Sequence, residues 1–378
     1  MSLLLDIYGL PSVVAHGLVL TAQSLVLGGV AFVVLVAEPL AGTLGDDGVR
    51  TVARCRRLTT WSAGAVILIV AVNVATETLV LADTLDISLA DSVTAAFAFA
   101  GFAQIAAAAI IALLCRASAR VTRVGLVLAG LGLLAAGTAT SHAVAQIDDR
   151  ALLSAATALH RLCAGSWIGG IPYFLIALAG SSGQDAWRRI GKRFSIMSLV
   201  SVTAIAATGI VMSLFYIGSF EALFGTAYGI MVMAKSLLFI GLLCVGGMNF
   251  LVVERLRIDP EAPILRLRRF AEVEVGVGIT VLFIAASIAS LPPAINLTND
   301  RVTLAEYAQR LTLHRPSFST PAQASLAIAE LQARLDADAG QGAPAVSAYV
   351  PGAGLPPPRN AADIAWSEYN HIGPACWS

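Results

Sequence analysis

The chain has 378 residues, 57% of them hydrophobic and only 13% charged, with 24 basic residues balancing 24 acidic ones. A soluble domain carries about 25% charged residues, so an ordinary soluble enzyme is excluded, and no basic patch with interleaved aromatics suggests a nucleic-acid partner. Five cysteines (Cys55, Cys115, Cys163, Cys244 and Cys376) form no CxxC pair and no even disulfide framework. They read as small buried hydrophobes.

A helix needs about 20 mostly apolar residues to cross a bilayer. Eight segments qualify, as spans 1 to 8 in chain order: 13–37, 60–82, 92–115, 122–142, 152–178, 194–216, 227–252 and 271–293. In lipid they must be helices, because each backbone polar group has to be satisfied within its own segment. The expected fold class is all-α, a polytopic membrane helical bundle of about eight transmembrane helices with a polar C-terminal tail. No basic run precedes span 1 and no clear small-x-small cleavage site follows it, so it reads as a retained span.

The loops alternate in charge. Span 1 is followed by Arg50, Arg54, Arg56 and Arg57, and span 3 by Arg116, Arg120 and Arg123. Span 5 is followed by Arg188, Arg189, Lys192 and Arg193, and span 7 by Arg255, Arg257, Arg266, Arg268 and Arg269. These hold two-thirds of the 24 basic residues. The intervening loops hold Arg150 beside Asp83, Asp86, Asp91, Asp148, Asp149 and Glu221. Positive-inside then puts the basic loops in the cytoplasm and both termini on the outer side. In the tail, Thr320 can cap a helix that Pro321 begins, with Leu326, Ile328, Leu331 and Leu335 along it and Gly340 at its end. GAGLPPPRN after it reads as extended linker.

Function rests on the few polar side chains inside the spans, since each is costly there. Three of five histidines lie in spans: His16 near the outer start of span 1, His142 at the outer end of span 4, and His160 about two turns into span 5. All three fall in the outer half, which suggests a shared metal or haem site. Softer donors sit at similar depth: Met212 in span 6, Met231 and Met233 in span 7, and Cys163 one turn from His160. Imidazole, thioether and thiolate together suit Cu(I). Glu77, near the outer end of span 2, is a hard ligand or a proton site. In span 5, Gly165 and Gly169 make a GxxxG pair for close helix approach. Trp167 shares a face with His160, and Pro172 bends the helix. A bis-histidine haem b is the competing cofactor, with His16 or His142 opposite His160 and Arg161 on a propionate. No GxSxG, HExxH, Walker or dinucleotide motif is present, so no enzymatic activity is expected.

The runs LHRLCAGSWIGGIPYFLIAL, RFSIMSLVSVTAIAATGIVMSLFYIGS, LFGTAYGIMVMAKSLLFIGLLCVGGMNF and LRRFAEVEVGVGITVLFIAASIASLPPA, in this order, resemble the copper-resistance D family. The resemblance covers about 150–295. It implies a bacterial inner-membrane, multi-pass protein with periplasmic termini. Such a protein takes copper, as Cu(I) or Cu(II), from a periplasmic copper-binding partner and moves it inward, alone in the bilayer, as a homo-oligomer or in a larger membrane complex. The pattern carried over comprises His160, Trp167, Gly169, Gly170, Arg193, Thr208, Gly209, Tyr228, Gly229, Lys235, Asn249, Arg268, Arg269, Glu274 and Pro293. Lys235 and Glu274 then read as structural or gating charges. Arg161 departs from the pattern, where an apolar residue is usual. The expected organisation is a four-helix membrane half (1–149), a copper-resistance-D-like four-helix half (150–295) and a periplasmic tail (296–378) with one short helix. The tail resembles longer relatives as far as WSEYNH, after which those continue into a further span and this chain reads IGPACWS.

Overall fold

The computed structural model describes residues 2–85, 87–117, 122–141, 149–255, 264–297 and 301–311. No strand occurs among them. Seven helices among the described residues are long and apolar enough to cross a membrane, and an eighth, Arg123–Thr138, is shorter. Each expected span falls on one of these eight, so this is an all-α, multi-pass membrane protein. The helix of span 2 runs Gly45–Leu85, starting 15 residues before the apolar segment. Hydropathy marks only the part in lipid. Arginine is a good helix former, so the basic loop simply continues the helix into water. The tail's expected helix near 320–340 lies outside the described residues. A helix at Leu304–Leu311 precedes it. Its start is a capping box: Glu306 N–H donates to Thr303 Oγ1 at 3.3 Å, and Thr303 N–H returns a bond to Glu306 Oε2 at 2.8 Å.

Spans 1 and 5 form the interior. In their most apolar stretches 72% and 67% of residues are buried, against 11% in span 7. Span 1 packs on spans 2, 4, 5 and 8, while spans 2–3, 3–4, 5–6 and 7–8 pack as sequential neighbours. Glycine makes the central crossing possible. A Cβ on Gly28 would strike the Gly169 carbonyl carbon, and one on Gly169 would strike the Ser24 carbonyl oxygen. The two backbones therefore touch directly, as the GxxxG pair predicts. The Ser24 and Gly28 side of the crossing is itself a small-xxx-small pair.

Both interior spans are irregular. Span 1 is α-helical over Ser2–Phe32, becomes a π-helix over Val33–Ala37, and resumes as α-helix over Glu38–Ala41. Arg193 donates to the Leu35 carbonyl within the π-turn at 3.2 Å. Span 5 is broken into Arg150–Trp167 and Ile171–Gly180, with Pro172 opening the second piece. Toward the basic-loop end the core is aromatic: Phe174 stacks on Phe194 with centroids 4.5 Å apart, and Phe32 lies 6.2 Å from Tyr173. Glu38 ties this end together, accepting from Arg56 at 2.8 Å and Arg123 at 2.9 Å. At the acidic-loop end a smaller cluster of Leu153, Tyr216, Ile217, Ala222, Tyr228 and Ala294 closes the bundle.

Candidate metal centre

His160 sits on the interior helix of span 5 and faces span 6. Its Nδ1 is 2.9 Å from Thr208 Oγ1. The Thr208 hydroxyl is also 2.6 Å from the Ala204 carbonyl one turn back, the usual i−4 bond of a helical threonine. A hydroxyl has one proton. With that proton on Ala204, Oγ1 accepts, and Nδ1 must be the ring nitrogen that donates. In that arrangement the neutral ring keeps its Nε2 lone pair unprotonated, the state in which imidazole binds a metal. A Cβ on Gly209 would lie 3.8 Å from the ring, so the neighbouring glycine leaves space beside Cε1.

Met212 lies one turn along span 6 from Thr208, toward the acidic loops. Its sulfur receives the Thr157 hydroxyl at 3.6 Å. Thr157 is three residues before His160, so Met212 occupies the same span 5–span 6 seam, one turn further out. Cys163 is three residues after His160 on the same helix face, buried, with a free thiol. Thr157 beside Met212, His160 and Cys163 thus follow one another at three-residue steps along span 5.

The other residues singled out from the sequence fall elsewhere. Met231 and Met233 are both half-buried in span 7. Two residues apart on a helix, they point about 160° from each other and do not share a face. His16 is half-buried in span 1 and engaged in contacts of its own. Its neighbour Gly17 packs against the Phe283 ring of span 8. His142 lies outside the described residues. Among the described residues no three of His, Cys, Asp and Glu come together as a metal-holding group. Glu77 accepts from Asn73 at 2.8 Å. It borders an open cleft of about 430 Å³ with Val80, Leu81, Thr84, Leu85 and Phe97, on the span 2–span 3 flank.

Arg161 points away from the seam. Its guanidinium donates to the Gly137 carbonyl of span 4, beside the Gln23 side chain. Gln23 in turn donates to Gln104 of span 3 at 2.6 Å, with both amides buried. This polar link between spans 1, 3, 4 and 5 was missed in the sequence, although two glutamines inside apolar spans were a visible signal. Trp167 is 2% exposed and meets Phe239 of span 7 edge-on, with centroids 6.1 Å apart. Lys235, half-buried in span 7, has no carboxylate partner among the described residues. Glu274 of span 8 accepts from Asn249 of span 7 at 2.5 Å.

Residues 188–288, which include Thr208, Met212, Lys235, Asn249 and Glu274, match the family described as copper resistance protein D. Over those residues the chain is similar to that family. It is 33% identical over 165 residues to the "Copper transport protein CutJ" of Bacillus subtilis (strain 168), an alignment covering 43% of this chain and 29% of that protein. The chain thus spans less than a third of that relative's length. No solved structure matches. Both similarities are to proteins named for copper. His160 and Cys163 precede the matched region. His160 is joined to it by packing, through Thr208 of span 6.

Proposed function

We propose that this protein carries copper across a bacterial inner membrane, accepting it on the acidic-loop, periplasmic side and moving it inward. The observation that supports this most is His160, held in one tautomer by Thr208 with Nε2 left to bind. Met212 and Cys163 flank it by one turn on either side. Each step along this line is about 4.5–6 Å, one helical turn or slightly less. Thioether, imidazole and thiol are ligands of Cu(I), and donors spaced one turn apart suit transfer from one site to the next rather than storage in a single cage. Met212, nearest the acidic loops, is the first acceptor, and a periplasmic copper-binding protein is the donor. The Arg161 guanidinium is turned to span 4, where the Gly137 carbonyl accepts from it. The role is transport rather than catalysis.

The test is copper content and copper uptake in cells making His160→Ala. Bound copper and cellular accumulation are expected to fall to the level of cells without the protein, while the amount of inserted protein stays the same. Full accumulation in that variant would overturn the seam as the path. A visible spectrum of the same preparation separates copper from haem, since Cu(I) has no visible band and reduced haem b has a strong one.

A further inference from the structure

Glu274 is 3% exposed, and the only interaction partner it has among the described residues is Asn249. From span 7, Asn249 and the bare face of Gly246 approach it, Gly246 also facing the Trp167 ring of span 5. Ile168 of span 5 packs on Gly278, one turn further along span 8. Glu272, two residues away, is exposed, and among the described residues no cation pairs with Glu274. Asn249 Oδ1 is fully buried and has no donor. The pair therefore presents three acceptor oxygens to one amide N–H group. A buried carboxylate without a counter-charge is among the costliest groups in a membrane interior. A proton removes the charge and supplies the missing donor. Two residues offer too few oxygens to enclose a metal ion of the hard, oxygen-binding kind.

We propose that Glu274 and Asn249 form an intramembrane proton site, in which Glu274 holds a proton in the present arrangement and gives it up when a cation arrives in the inner half of the bundle. The carboxyl O–H bond breaks, the proton passes to water on the basic-loop face, and the carboxylate left behind neutralises the cation. Arg268 and Arg269 of the basic loop are six and five residues away, about 8–9 Å along the helix, so the route out is short. His160 is seven residues before Trp167, about 10 Å up span 5. A cation leaving the seam inward thus meets this carboxyl next. The identity of the cation rests on the copper reading above. The proton site does not.

Two measurements on the full-length purified protein test this separately. The infrared spectrum at neutral pH should contain a carboxylic-acid C=O band that is missing in Glu274→Gln and displaced in Asn249→Leu, which leaves the acid but removes its amide partner. A wild-type spectrum in which Glu274→Gln removes only carboxylate absorption overturns the proposal, as does a band indifferent to both substitutions. Addition of Cu(I) in weak buffer with a pH dye should release about one proton more from wild-type protein than from Glu274→Gln. Equal release with copper bound in both overturns the exchange step. If copper binds neither protein, the copper reading has failed, and the infrared band alone decides the proton site.

Discussion

A single hydroxyl decides what His160 can do. With the Thr208 proton on the Ala204 carbonyl, its oxygen is offered to Nδ1 and the lone pair on Nε2 is displayed. Thr208→Val has the same shape and removes that oxygen. The ring can then turn or change tautomer, and Cu(I) affinity in chelator competition is expected to fall about 10–100-fold, the usual loss when a ligand histidine's orienting partner is removed. Thr208→Ser keeps the oxygen and should bind within a few-fold of wild type. Equal affinity in Thr208→Val would show that the tautomer is set by another group. His160 itself was legible in the sequence, because an imidazole in an apolar span is conspicuous. Thr208 was visible there only as part of a resemblance. Its pairing with a residue 48 positions earlier is made by helix packing, which no local pattern encodes.

Among the helices, spans 1 and 5 depend on having no side chain where they cross. Gly165 and Gly169 are not equivalent there. A Cβ at Gly165 meets the Leu27 Cβ at 3.0 Å, so that span 1 must give by a few tenths of an ångström, whereas a Cβ at Gly169 overlaps backbone of span 1 outright. Gly165→Ala is expected to cost about 1–3 kcal/mol, the range of ordinary overpacking, and Gly169→Ala clearly more. Thermal unfolding in detergent checks the order. A Tm for Gly169→Ala at or above that of Gly165→Ala would mean that the helices separate freely. The GxxxG spacing announced this contact. It did not name the partner, since span 1 was one of seven candidates. The break after Trp167 was likewise legible from Pro172, while the π-turn at Val33–Ala37, just before Pro39, was not anticipated.

For the whole molecule, the alternation of basic and acidic loops sets an orientation that labelling can test. In a background carrying Cys244→Ser and Cys376→Ser, a membrane-impermeant thiol reagent applied to intact cells should modify Glu221→Cys, in the loop after span 6, and leave Arg189→Cys, in the loop after span 5, untouched. Cys55, Cys115 and Cys163 are buried and should stay silent. The opposite labelling pattern would reverse the orientation and with it the proposed direction of copper movement. The eight spans and the copper-resistance-D likeness were determined by sequence alone. Hydrophobic length is a property of contiguous residues, and the loops' charge is too. Which spans lie inside was decided only in three dimensions. Hydropathy does not separate them: the interior spans 1 and 5 have mean hydropathies of 2.3 and 1.7, and the peripheral span 7 has 2.3. It cannot tell lipid from protein, because both are apolar surroundings. What separates them is small residues and a few polar groups meeting across helices: Gly28 on Gly169, Gln23 on Gln104, His160 on Thr208 and Asn249 on Glu274. Those pairings join residues between 25 and 141 positions apart, and only the packing of the bundle selects them.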